Sequence, residues 1–330
     1  MKNIKIYLLI CLILSAVTYI GCDDAGIILP FVAKGKVGLS QTGLKTLNPN
    51  IDGMYEVWLK LDSAGISSWS SCGRFNVNSE GAAVDANGNP AYLQFTGDTN
   101  RLGFATEILL TVERGNGISP GPQVLMSGSV TATVDSVYGD MDIAGSDAFG
   151  TVGEKFKQSL GGKYIRWSPS TNNSNSTQGV WLCDSNGVSY MPDGISLPSN
   201  GGWIYQAWLV DRTTNTYRSM GTFFDPKGPD NDLAGPCSGP NHGFNVPGQD
   251  WIQTGGTCGS EVNVVCGCCG ILITLEPSNE VPGSLEADTP SFFKVFSQNI
   301  DPSLGSGQLD NIGSVFNNEP TPKVKIKITN

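Results

Sequence analysis

The chain has 330 residues, with 42 glycines, 19 prolines, only 15% charged residues and 39% hydrophobic residues. That apolar content excludes a disordered polypeptide, and the glycines show no Gly-X-Y period of a collagen. A net charge of −10 with a pI near 4.6 leaves no basic stripe to displace counterions, so no nucleic-acid partner is expected.

In chain order, Lys2 and Lys5 precede an apolar run from Ile6 to Ile20, followed by Gly21-Cys22-Asp23-Asp24. A short basic start, an apolar stretch and a small residue before a cut form a secretory signal. The apolar run is shorter than the roughly 20 residues that span a bilayer. The cysteine directly after Gly21 resembles the lipidation site of bacterial lipoproteins, although Tyr19 departs from the aliphatic residue usual there. Residues 1–21 are therefore expected to be the signal peptide, Cys22 the lipidated residue, and 22–34 a tether. Removing the signal takes away two lysines and no acid, so the mature charge is −12. Such a surface repels anionic headgroups, and the lipid rather than a protein face would hold the membrane. The expected location is the cell envelope, periplasmic or at the cell surface, with plain secretion as the alternative.

Beyond the tether, short alternating strands recur, separated by Gly, Asn, Asp and Pro, and helical periodicity is weak. Three anchors occur twice, about 150 residues apart. Tyr55-Glu56-Val57-Trp58-Leu59 is answered by Tyr205-Gln206-Ala207-Trp208-Leu209. Gly73-Arg74-Phe75 is answered by Gly221-Thr222-Phe223. Ile108 to Glu113 is answered by Ile271 to Glu276. A domain-sized period means two related domains, not a solenoid. The fold class expected is all-β, two tandem related Ig-like β-sandwich domains over 35–152 and 153–330. Tyr and Trp of each anchor lie three apart and so face opposite sides of a strand. The run Ser168 to Gln178 reads as an exposed loop. The tail Lys323 to Ile328 alternates strictly and reads as a last strand of the second domain, its lysines guarding an open edge.

These anchors resemble the extracytoplasmic domain of anti-sigma-K factors, which carries a Tyr-x-x-Trp-Leu strand, a Gly-x-Phe strand and a Thr-x-Glu-Pro strand. The resemblance implies a β-sandwich. It does not carry over the regulation, because those factors hold their sigma factor through a cytoplasmic segment that a signal peptide replaces here. Gln206, where Glu is common, and Arg114, where Pro is expected, are smaller departures.

Seven cysteines follow Cys22: Cys72, Cys183, Cys237, Cys258, Cys266, Cys268 and Cys269. An odd number outside the cytoplasm leaves at least one unpaired within the chain. Cys183, Cys237, Cys258, Cys266, Cys268 and Cys269 are the disulfide candidates. Zinc is disfavoured, since no second Cys-x2-Cys pair and no spaced histidines occur. Val264 to Ile273 reads as one strand, with Cys266 and Cys268 on one face and Cys269 on the other.

Asp225, Asp230 and Asp232 lie in a Gly/Pro/Asn-rich loop that ends at Asp250. Calcium is the one cofactor they suggest, by oxygen count alone; a solvated acidic loop is the plainer expectation. The lone histidine, His242, sits in a Gly/Asn turn with no nucleophile elbow. Glu113 and Glu276 occupy equivalent strand ends, which favours a structural role over paired-carboxylate catalysis. The function expected is a non-catalytic envelope lipoprotein that binds a protein or a surface glycan. The alternatives are a regulatory or sensory protein partnered with a membrane system, and a secreted hydrolase.

Overall fold

The computed structural model describes residues 34–145, 148–171, 177–279 and 289–330. The signal stretch and Cys22 lie outside the described residues. The fold is all-β, in two large sheets. The first half contributes β1 (Gly35–Thr42), β2 (Met54–Ser63), β3 (Ile66–Val77), β4 (Ala83–Val84), β5 (Gln94–Phe95), β6 (Ala105–Glu113), β7 (Val124–Ala132) and β8 (Ser136–Asp142). A one-turn helix, α1 (Val152–Phe156), leads to β9 (Gly161–Arg166) and β10 (Gly179–Trp181). There follow β11 (Trp203–Asp211), β12 (Thr216–Phe223), β13 (Gly248–Asp250), β14 (Cys269–Pro277), β15 (Lys294–Asn299), β16 (Asp310–Ser314) and β17 (Lys323–Thr329).

The first sheet runs β4-β3-β2-β6-β7-β8-β17-β1-β5 and the second β12-β11-β14-β15-β16-β9-β10-β13. The first curls far enough for its ends to meet, since Thr96 N–H, just past β5, donates to Ser71 O of β3 at 2.9 Å. Closing a sheet on itself leaves little unpaired edge.

Both sheets are built on the repeated anchors, bond for bond. Tyr55 donates to Lys45 O at 2.9 Å, and Tyr205 to Ile195 O at 2.9 Å, each ten residues back. Trp58 Nε1 donates to Thr111 Oγ1 at 3.0 Å, and Trp208 Nε1 to Thr274 Oγ1 at 2.9 Å. Those threonines donate in turn to Glu113 and Glu276. Glu113 also accepts from Gly121 N–H at 2.7 Å, and Glu276 from Ser291 N–H at 3.0 Å. Both acids therefore close the loop after their strand, the structural role expected of them. The β2–β3 and β11–β12 ladders each carry a register shift at the tryptophan. Gly73 and Gly221 sit opposite, at φ 108° and 84°, where a side chain would be strained.

Tyr55 and Tyr205 point into the main core, while Trp208 packs with Val210 and Leu272 on the opposite face. An indole N–H buried in such a place needs its acceptor. Thr111→Val removes the acceptor of Trp58 and a donor to Glu113 while keeping the side chain's shape. We expect Thr111→Val and Thr274→Val each to cost about 1–3 kcal/mol, read as a lowered urea midpoint; an unchanged midpoint in both would show that the bonds carry no net stability.

The last strand departs from expectation. β17 pairs with β8 and β1 in the first sheet, not with the second half. Its lysines point outward as alternation requires, but they guard no edge. Lys325 pairs with Asp140 at 3.2 Å, and Lys327 lies 5.2 Å from the Tyr138 ring centre. The reason is visible in the strand orders. Superposing β3-β2-β6-β7-β8 on β12-β11-β14-β15-β16 puts β17 where the second sheet has β9. In the chain, β9 follows β8 and β17 follows β16. β17 thus crosses from the end of the second half into the first sheet, to the place that β9 fills in the second.

The halves also share one continuous core. Phe149 stacks on Trp203 and Phe293 at centroid distances of 6.0 and 6.1 Å. Trp203 Nε1 donates across the junction to Val124 O at 2.8 Å.

Candidate functional site

The chemistry-bearing residues fall into three places. The first is the aspartate loop between β12 and β13. It is solvated only in part: Asp225 and Asp232 are exposed, whereas Asp230 is 6% exposed and Asp250 fully buried. Asp230 Oδ2 accepts from Gly248 N–H at 2.9 Å, and Asp225 Oδ1 accepts from Lys227 N–H at 2.9 Å. Asp250 accepts from Ser170 N–H and from Trp181 Nε1, each at 2.8 Å. Burial and then the charge of Asp232 push Asp230 up to about 7, and burial pushes Asp250 up to about 6. Asp225, Asp230 and Asp232 are not gathered into one ligand set: among the described residues, the one group of three or more potential metal ligands within 4.8 Å is Cys266, Cys268 and Cys269. The acids hold backbone together instead. Ser168 and Ser170, expected on an exposed loop, are buried beside Asp250; residues 172–176 of that loop lie outside the described residues. His242 is exposed.

The second place is the cysteine cluster. Cys237 and Cys258 form a disulfide closing a 21-residue separation, worth about 3 kcal/mol by loop entropy. Cys266 and Cys268 form a second. Cys72, Cys183 and Cys269 are buried thiols; the Sγ of Cys269 lies 3.0 Å from that of Cys266, whereas Cys183 adjoins no disulfide. The expected strand from Val264 does not form. Gly267 at φ 75° bends the chain, and β14 begins only at Cys269. That bend puts Cys266 and Cys268 side by side and Cys269 against them.

The third place is a cavity of about 360 Å³ at the junction of the halves. Its apolar wall is Leu44, Tyr55, Leu125, Phe292, Phe293 and Phe316; Lys45, Lys294 and Glu319 stand at its rim. Lys45 and Glu319 form an ion pair, and Lys294 is exposed. Tyr55 and Phe292 meet edge to face at 6.1 Å. Sequence reasoning missed this site. The adjacent Phe292-Phe293 was its one signal, since neighbours in an extended chain face opposite ways and both being aromatic leaves one to line a surface.

The chain matches no family model, no curated protein and no solved structure among those compared with it.

Proposed function

We propose that the protein is a non-catalytic, lipid-anchored envelope protein that binds a surface glycan in the aromatic cavity between its halves. The observation that carries this reading is the cavity itself: four aromatic side chains line it, Phe292 and Phe316 with part of their surface open, beside two lysines and a carboxylate. Aromatic rings take the C–H faces of sugars, while the rim groups bond hydroxyls, the usual division of a small-molecule site into apolar wall and few polar groups. The disulfides favour an oxidising compartment, and the paired anchors support descent from a duplicated sandwich of the anti-sigma-K type. The two carboxylates equivalent by repeat are engaged in loop closure, which supports a binding role over hydrolysis.

Two measurements test it. Cys22→Ala should release the protein from the membrane fraction or block its processing; unchanged partition would overturn the anchor. Lys45→Ala and Lys294→Ala alter exposed rim residues only. Retention on purified envelope polysaccharide should weaken about tenfold in the pair, about 1.4 kcal/mol. Equal retention would overturn the site, and release of reducing sugar would overturn the non-catalytic reading.

A further inference from the structure

We propose that Cys266, Cys268 and Cys269 form a thiol–disulfide exchange centre, in which the Cys266–Cys268 disulfide is opened by an external thiol and Cys269 reseals it.

Three sulfurs carry this inference. Cys266 and Cys268 are bonded, and the Sγ of Cys269 lies 3.0 Å from the Sγ of Cys266. The bonded pair is accessible, Cys266 being exposed and Cys268 half-buried, whereas Cys269 is buried beneath them. The cluster also opens into a cavity of about 230 Å³ that Leu209, Asp211, Arg218 and Glu261 line with it. An attacking thiol therefore has space to approach, and the third sulfur is within reach of the one attacked. The other two described thiols lack this geometry: Cys72 and Cys183 are fully buried and no disulfide adjoins them. Exchange needs a thiolate, a disulfide sulfur and access, and proceeds through a mixed disulfide.

The step balances. The external thiolate attacks Cys266 Sγ, a new S–S bond forms, and the Cys266–Cys268 bond breaks. Cys268 leaves as thiolate and takes a proton from solvent. Cys269 then gives up its proton and attacks Cys266 Sγ, expelling the external thiolate. The product holds a Cys266–Cys269 disulfide and a Cys268 thiol, so sulfur oxidation is conserved and the disulfide has moved by one residue. Where the external group carries two thiols, its second thiol competes with Cys269 for the mixed disulfide. It then leaves oxidised, and Cys266 and Cys268 remain as thiols.

The test uses the full chain with glutathione as the probe thiol, followed by alkylation and mass mapping. The wild type should end with a Cys266–Cys269 disulfide and little adduct. Cys269→Ser should accumulate glutathione on Cys266 about tenfold over wild type, because only reversal by Cys268 is left to expel it. Equal adduct in the two, or an unchanged Cys266–Cys268 bond after glutathione, would overturn the proposal. Cys268→Ser reads the geometry independently of any probe. It should oxidise to Cys266–Cys269 in air, and persistence of both thiols would overturn the proposal equally. Glutathione on Cys72 or Cys183 instead of Cys266 would also overturn it, by placing the reactive sulfur elsewhere.

Discussion

Truncation after Pro320 is expected to unfold the first sheet, although every residue removed belongs to the end of the second half. Without β17 the ladder between β8 and β1 disappears, and Val324, Ile326 and Ile328, all buried, leave the core. Losing three branched aliphatic side chains from a packed interior costs several kcal/mol, at about 2–5 kcal/mol for each such residue cut to alanine in other proteins. That is a large part of the roughly 5–15 kcal/mol a domain has. Hydrogen exchange locates the effect. Protection should fall first in β1 and β8, while β11 and β14, which lie far from β17 in strand order, hold longer. Loss of protection in β11 before β8 would show that the crossing of β17 does not organise stability. By the same logic a piece beginning at β9 does not fold as a closed unit. It carries a strand whose sheet is missing, and Trp203 loses its acceptor on Val124.

Stability should also fall as pH rises from about 4 to about 7. The sign follows from Asp230 and Asp250, whose folded-state values, about 7 and about 6, stand above the ordinary 3.8. In that window the folded chain binds more protons than the unfolded one, so each step up in pH favours unfolding. Burial likewise raises Asp52, which acts in the same direction. Below pH 4 the exposed acids held low by local hydrogen bonds, such as Asp211 and Asp85, work the other way. The maximum therefore lies near pH 4–5. The loss between there and pH 8 is on the order of a few kcal/mol. Urea midpoints at pH 5 and pH 8 measure it, and the difference should shrink in Asp230→Asn/Asp250→Asn. A midpoint equal or higher at pH 8 in the unaltered protein would contradict the assignment of these acids as buried.

What could be read in advance follows from what alternation encodes. The facing of Tyr55 against Trp58, and the outward lysines of the tail, depend only on a two-residue period, and both are found as expected. The loop-closing roles of Glu113 and Glu276 came from their equivalence under the repeat. The sheet to which β17 belongs did not follow, because period two assigns a face and says nothing about a neighbour. The extended reading of Val264 to Cys268 failed at Gly267, whose positive φ turns the chain inside an otherwise strand-like run. The burial of Asp230 and Asp250 was not legible for a similar reason. Polar composition suggests water, yet Asp250 reaches the Trp181 indole from a strand distant in sequence, a pairing that only tertiary structure supplies. The cavity depends on four aromatic side chains from three separate segments, which only the tertiary fold brings together.

The pairing of β1 with β17 has a mechanical meaning. Lys36 stands opposite Thr329, so the chain enters and leaves the fold at the same end of one antiparallel ladder. A load applied between the two ends would meet one rung at a time and open the ladder as a zipper, where strands pulled lengthwise past each other would resist with all rungs together. The first rungs to part hold the borrowed strand. Tension on the ends would therefore reach the first sheet at its seam and release the borrowed β17 before it strains either repeated framework.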